Sequence, residues 1–446
     1  MSGECIFEPV APGRTEPSHL FSLLELAAIL LTLSAAFGWL NHKFIPLPHT
    51  IGLLVMSVAT SVILVMIDVA FPKQHLFEPL TSALLQIDFA SVVMNGMLGF
   101  LLFAGALHVD LDKLRSRAIP VAIMAGLGTV ISTAAIGFGI WAAAGLIGHP
   151  MTLAWALVFG ALISPTDPVA VLGVLKNVQV PASLEVEMQG ESLFNDGVGI
   201  VLFVILLRFA TGNGEDTSGF AIVELLLLEA GGGLLLGLMT GYIAYLAMRW
   251  IDDYPIEVLI SLALVTGTYA LAQRLHVSAP LSVVAAGLLI GDRGPRYAMS
   301  ERTRSYVYAL WTLIDEILNS VLFLLIGLEV LVLRFEPSAL VVALATIPIA
   351  LVARLLAVAA PPLAFAWTNL LSLQNVPFLT WAGVRGGISV ALALSVPDSP
   401  DKPIILAATY AVVLFSIVIQ GSTLGLVASR TIPAEAGSDA APEPKS

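Results

Sequence analysis

The chain has 446 residues, of which 58% are hydrophobic and only 12% charged, with a formal net charge of −12. A soluble domain carries about twice that charged fraction, so a water-soluble globule is excluded, and thinly spread acidic charge offers nucleic acid no basic patch. The single cysteine, Cys5, rules out an internal disulfide and a cysteine-based metal cluster.

In chain order, residues 1–19 lack the basic flank and short apolar core of a cleaved signal peptide and predict an extracytoplasmic tail. Thirteen apolar segments follow, at 20–41, 47–71, 84–109, 118–147, 153–175, 183–209, 219–249, 256–275, 277–291, 306–333, 338–367, 376–396 and 403–428. Most approach the twenty or so residues a helix needs to cross a bilayer core. The expectation is an all-α polytopic membrane protein of about 13 transmembrane helices, ending in a short cytoplasmic tail at 429–446. Twelve Lys and Arg fall on one side of the connections, among them Lys113, Arg115, Arg117 and Arg296, against six on the other. That excess places the N-terminus outside and the C-terminus in the cytoplasm of a plasma membrane of the bacterial inner-membrane type. The two remaining basic residues, Arg354 and Arg385, fall within segments and need partners.

The fifth segment contains FGALISPTDPVAVLGVL. Pro165 and Pro168 have no backbone N–H, so the carbonyls of Ala161 and Ser164 lose helical partners. Ser164 and Asp167, each before a proline, are pushed toward extended backbone. The helix should break here and gather bare carbonyls, the Thr166 hydroxyl and the Asp167 carboxylate. Such backbone is tolerated at membrane depth only in a protein interior or along a cavity, and oxygen donors suit a hard cation.

The sixth segment contains GESLFNDG. At about 100° per residue, Glu191, Asn195, Ser192 and Asp196 share an arc of about 140°. Interhelical hydrogen bonding suits Ser192 and Asn195, but two acids in one span indicate a cavity or ion path. Gly190, Gly197 and Gly199 predict close approach of neighbouring backbone.

The eleventh segment, IALVARLLAV, surrounds Arg354 with apolar residues. An unpaired buried guanidinium is untenable, and Glu191 is the partner expected for it, which leaves Asp196 free. The twelfth segment interrupts its helix at Gly383, Gly386 and Gly387 around Arg385. Paired broken helices point to a transporter site. Their offset of seven segments reverses direction, so segments 1–6 and 8–13 read as two inverted six-helix repeats with the seventh as linker. Arg385 then supplies positive charge where the broken helices cross, or serves helix packing alone. A carboxylate shielded from water disfavours its bare charged form, so Asp196 holds either a proton or a cation, each displacing the other.

The runs ISPTDPVAV, GESLFNDGVGIVLF and GVRGGISVAL, with LLFAGALHVDLDKL and IDEILNSVLFLLIGLEV, resemble the cation:proton antiporter-1 family, which includes bacterial sodium/proton antiporters and animal sodium/hydrogen exchangers. The resemblance spans nearly the whole chain. It implies a homodimer in membrane lipid, with a core domain of segments 4–6 and 11–13 moving against a dimerisation domain of segments 1–3 and 8–10. It implies that Asp196 exchanges ions beside Asn195, that Thr166 and Ser192 are cation ligands, that Asp167 lies at the helix break and that Glu191 pairs with Arg354. Electroneutral exchange of one Na+ or Li+ for one H+ follows, without a cofactor; K+ is the alternative. Some members carry an acid where this chain has Ala104, and Asp88 is too distant along its helix to substitute. Asp315 and Glu316 either line a cytoplasmic funnel or cap a helix. Glu329 is expected near the outer interface, and His108 is a weak pH-sensor candidate among histidines near segment ends. An intramembrane enzyme lacks support: no GxSxG or HExxH occurs, and Gly291-Asp292 lacks the first glycine of GxGD. A non-transporting sensor is the other remote alternative.

Overall fold

In lipid every backbone polar group must be satisfied within the protein, which leaves the helix as the natural element for long apolar runs. The computed structural model describes residues 23–45, 47–71, 88–175, 180–212, 219–331, 337–364 and 373–432. Among them it is all-helical, with no strand. The tail 1–19, most of the tail 429–446 and the basic residues Arg14, Lys73, Lys176, Arg334 and Lys445 lie outside the described residues.

The helices, in order, are α1 (Leu23–Phe44), α2 (His49–Ala70), α3 (Phe89–His108), α4 (Leu111–Ser116) and α5 (Ala118–Ile147). Then come α6 (Leu153–Ile163), α7 (Pro168–Leu175), α8 (Ala182–Ala210), α9 (Gly219–Arg249), α10 (Tyr254–Arg274) and α11 (Ala279–Arg293). The last are α12 (Glu301–Glu329), α13 (Pro337–Ala364), α14 (Val376–Trp381), α15 (Gly387–Ser395) and α16 (Lys402–Thr431). Among the described residues ten are long and apolar enough to cross a bilayer: α1–α3, α5, α8–α10, α12, α13 and α16. The expected thirteen is not reached by this measure for a physical reason. The fifth and twelfth segments are each broken into two short helices, α6–α7 and α14–α15, and α11 has only 15 residues. The chain is a multi-pass membrane protein.

Short α11 is held by close packing. Gly233, Gly237 and Gly241 form an i, i+4, i+8 stripe on α9, and a methyl at Gly233 would lie 2.6 Å from the Ser278 carbonyl, one at Gly241 3.0 Å from Ala286 Cα. Only glycine admits two backbones this close. The stripe set around α8 behaves differently. Gly190 faces the side chains of Leu114 and Val121, and Gly197 faces Leu281, so side chains rather than backbone fill these gaps; Gly199 meets the Pro165 ring and, at 3.6 Å, the Ala161 carbonyl.

The fully buried Trp311 of α12 fixes that helix against two neighbours. Its ring lies 4.6 Å from Phe103 of α3, centroid to centroid, and its Nε1–H donates to Ser261 of α10 at 3.1 Å. One turn further on, the same face carries Asp315.

At one end of the bundle, α4 begins at Asp110, whose carboxylate accepts the N–H groups of Asp112 and Lys113 at 3.1 and 3.3 Å. The Lys113 N–H is the main cause holding the Asp110 carboxyl below its ordinary 3.8. Arg296 pairs with Asp112 at 2.5 Å, Arg115 with Asp292 at 3.7 Å, and Arg117 with Glu187 at 3.3 Å. The Arg296–Asp112 pair is exposed on both sides and contributes about 0–1 kcal/mol, whereas Asp292 and Glu187 are largely buried; together the pairs set register between α4, α8 and the end of α11.

Candidate functional site

The ISPTDP run leaves the helix at its prolines. α6 stops at Ile163, residues 165–167 run without helix, and α7 starts at Pro168. The second break, at 383–386 between α14 and α15, lies against the first. The Asp167 N–H donates to the Val384 carbonyl at 2.8 Å. Arg385, almost wholly buried, turns its Nη1 back across the junction to donate to the carbonyls of Ser164 and, at 3.0 Å, Pro165. Its own N–H donates to Ser416 Oγ at 3.0 Å. The Ser164 carbonyl, which lost its helical partner to Pro168, and the Pro165 carbonyl, whose helical donor Val169 N–H is taken by Asp167, are thereby satisfied by a charged donor, the stronger kind of hydrogen bond. Beside them, Ser164 Oγ donates to the Thr129 carbonyl at 3.1 Å and accepts from Thr133 Oγ1 at 3.1 Å.

Asp167 also caps α7: its Oδ1 accepts the Val169 N–H at 2.8 Å. Thr166 is clasped from α8. Asn195 Nδ2 donates to Thr166 Oγ1 at 2.9 Å, Asn195 Oδ1 accepts the Thr166 N–H at 3.4 Å, and Ser192 Oγ donates to the Thr166 carbonyl. The amide of Asn195 therefore fixes both the backbone and the hydroxyl of one residue in the unwound segment.

The two acids of GESLFNDG part company. Glu191 meets Arg354 of α13 in a two-pronged pair, Nη2 to Oε2 at 3.0 Å and Nη1 to Oε1, while Arg354 Nε donates to the Leu379 carbonyl at 3.3 Å. Both side chains are buried. Asp196, one and a half turns on, accepts no hydrogen bond among the described residues. It lines a cavity of about 230 Å³ together with Thr166, Asp167, Asp315, Asn319 and Ala104. Ser192 and Asn195 do not line it; their polar atoms are spent on Thr166.

Asp315 and Glu316 do not cap a helix, because both sit in the middle of α12. Asp315 faces the cavity and accepts from Asn319 Nδ2 at 3.0 Å, whereas Glu316 is exposed. His108 reaches the same cavity, with Nδ1 2.7 Å from the Ala104 carbonyl and Nε2 3.1 Å from Thr312 Oγ1. Asp88 caps the far end of α3 by accepting the Ser91 N–H at 3.0 Å, distant from this group. Asn319 and Ala104 contribute to a wall that the motifs did not mark as one surface. The i, i+4 spacing of Asp315 and Asn319 on a largely apolar helix was the available signal.

Three carboxylates thus line one cavity, and the two buried guanidiniums are engaged elsewhere, Arg354 by Glu191 and Arg385 by carbonyls. The surplus is negative, and carboxylate, hydroxyl and carbonyl oxygens are the donors of a hard cation.

Residues 29–430 match the family described as sodium/hydrogen exchanger, transmembrane. The chain is 44% identical over 417 residues to the Na(+)/H(+) antiporter NhaP of Pseudomonas aeruginosa, covering 92% of this chain and 97% of that one. It is 37% identical over 342 residues to the Na(+)/H(+) antiporter NhaH of Halobacillus dabanensis, covering 75% and 82% respectively. Among solved structures, the sodium proton antiporter MjNhaP1 of Methanocaldococcus jannaschii at pH 8 superposes with a TM-score of 0.73 over 92% of this chain and 99% of that one, at 19% identity, a likeness of fold.

Proposed function

The chain belongs to the sodium/hydrogen exchanger family, and from that premise we propose that it exchanges Na+, or Li+, for H+ across the membrane by alternating access, the two ions competing for Asp196. It is a transporter rather than an enzyme. The observation that carries the reading is the contrast between two acids of one motif: Glu191 is neutralised by Arg354, while the Asp196 carboxylate lines the cavity without a hydrogen-bond partner among the described residues.

The coupling follows from charge. A bare carboxylate is expensive to carry through a dry, low-dielectric position, and binding either a proton or an alkali ion removes that cost. The protein then changes sides readily when Asp196 is occupied and poorly when it is empty. One carboxylate with one occupant gives one Na+ for one H+, an electroneutral cycle. Thr166, held by Asn195 and Ser192, presents its hydroxyl beside Asp196 as a cation ligand, and Asp167 adds negative charge at the break. Arg385 keeps the unwound segment from collapsing around its own carbonyls. No cofactor is needed.

The cavity lies between the two groups of helices proposed to move. Asp196, Thr166 and Asp167 come from segments 5 and 6 of the core, Ala104 and Asp315 from segments 3 and 10 of the dimerisation domain. It reaches His108 and Val109, the end where Arg115, Arg117 and Arg296 cluster. The excess of basic residues assigns that end to the cytoplasm, so this is an inward-facing state with the N-terminus outside. A homodimer follows from the family resemblance. The sodium named in the relatives supports Na+ over K+.

Purified protein in vesicles with an imposed pH gradient provides the test. Na+ or Li+ should dissipate the gradient whether or not the membrane potential is clamped, K+ should not, and Asp196→Asn should abolish the effect. Full exchange by Asp196→Asn would refute the proposal.

A further inference from the structure

Asp315 belongs to the opposite wall from Asp196 and has no role in the cycle described above. It is fixed in two ways. Trp311, one turn earlier on the same face, is locked between Phe103 and Ser261, and Asn319, one turn later, donates to the carboxylate at 3.0 Å. The carboxylate is half-buried and lines the same cavity as Asp196 and Asp167. Arginine and lysine are lacking among the cavity-lining residues; the titratable groups that line the cavity with Asp315 are His108 of α3, Asp167 at the first break and Asp196 of α8. Asp196 of α8 and Asp315 of α12 stand on opposite walls of this cavity, an arrangement that offers a cation two places to rest.

Ala104 sharpens the point. It is fully buried on α3 yet lines the cavity, one turn before His108, so the α3 wall brings no negative charge at this level. The negative charge available on the dimerisation side of the cavity is that of Asp315.

Resting on the antiport reading above, we infer that Asp315 is a second cation station, which takes Na+ arriving from the cytoplasmic end and passes it to Asp196. The station supplies from α12 the negative charge that the α3 wall lacks at Ala104. Because Asp315 and Asp196 stand on different domains, occupancy of this station is confined to the inward-facing state, and its removal alters loading rather than the step that carries charge across.

The experiment is Na+-driven exchange by reconstituted protein with Na+ supplied on the cytoplasmic side. Asp315→Asn should raise KM for Na+ about tenfold, the loss expected for one partly solvated carboxylate, with kcat within about twofold of wild type. Asp315→Glu should restore KM, and so should Ala104→Asp in the Asp315→Asn background, because charge from either wall serves. If Asp315→Asn does not accumulate in the membrane, Ala104→Asp alone in the wild-type background should lower KM severalfold. An unchanged KM in Asp315→Asn, a fall in kcat at constant KM, failure of Ala104→Asp to rescue, or an indifferent Ala104→Asp single variant would each overturn the inference. An inactive wild-type protein would instead sink the antiport reading itself.

Discussion

The Asp167 N–H donates to the Val384 carbonyl at 2.8 Å, so the unwound stretch of one broken helix is hydrogen-bonded to the unwound stretch of the other. Neither stretch is helical, and each supplies what the other lost. Proline and glycine open the two helices, and the openings then close on each other.

That mutual closure makes Gly386 sensitive to a single methyl group. A Cβ built there would overlap the Asp167 carboxylate. Gly386→Ala must therefore push Asp167 toward the cavity or part the two breaks. Exchange by Gly386→Ala is expected to fall at least about tenfold, a shift of about 1.4 kcal/mol in barrier, while the protein still inserts and elutes as wild type on gel filtration. Equal activity would mean that the junction is looser than its hydrogen bonds indicate.

The Glu191–Arg354 pair is buried on both sides. Breaking such a pair from one side leaves an uncompensated charge and costs about 3–5 kcal/mol. Glu191→Gln and Arg354→Met should each lower the thermal midpoint of detergent-solubilised protein by several degrees. The double replacement, Glu191→Leu with Arg354→Met, should recover most of the loss, because it removes both charges at once. A double variant as unstable as the sum of its parts would show that the pair does more than neutralise itself.

The sequence makes the location of the breaks legible and leaves their junction illegible. Pro165 and Pro168 forbid helix locally, and that constraint acts within a few residues, so it can be read without a fold. Likewise an arginine in an apolar segment demands an acid, and few acids occur within spans. What Arg385 does with its guanidinium is different. Its acceptors are the carbonyls of Ser164 and Pro165, and a carbonyl has no sequence signature. The clasp of Asn195 on Thr166 and the presence of Asp315 in the same cavity are long-range facts of packing, set by features such as Trp311 against Phe103. Ten rather than thirteen helices pass by length and apolarity for a local reason: the broken helices and short α11 are apolar like the rest but too short to span as single rods.

Arg385 offers one nitrogen to two carbonyls. Removing it leaves both buried and unpaired, at about 1–3 kcal/mol each. Arg385→Ala should lose exchange and lower the thermal midpoint. Arg385→Lys retains charge and reach but not the planar fork, and should keep folded protein with exchange reduced about tenfold or more. If Arg385→Lys matches wild type in both measurements, positive charge alone suffices and the geometry of the guanidinium is incidental.

Competition for a single carboxylate fixes the sign of the pH dependence. Below the pKa of the empty site, each unit fall in pH multiplies the protonated fraction relative to the bare one by about ten. Na+ must displace that proton, so its apparent KM should rise up to about tenfold per pH unit on acidification while the rate at saturating Na+ stays constant. At high pH the same competition works in reverse: the return step starves for protons, and exchange falls. A bell-shaped rate against pH at fixed Na+ is expected, with its acid limb moving to lower pH as Na+ is raised. Vesicle measurements at three or more Na+ concentrations across the pH range check this. An acid limb that stays in place as Na+ increases would put the exchanged proton on a group other than Asp196, since saturating cation would then fail to displace it.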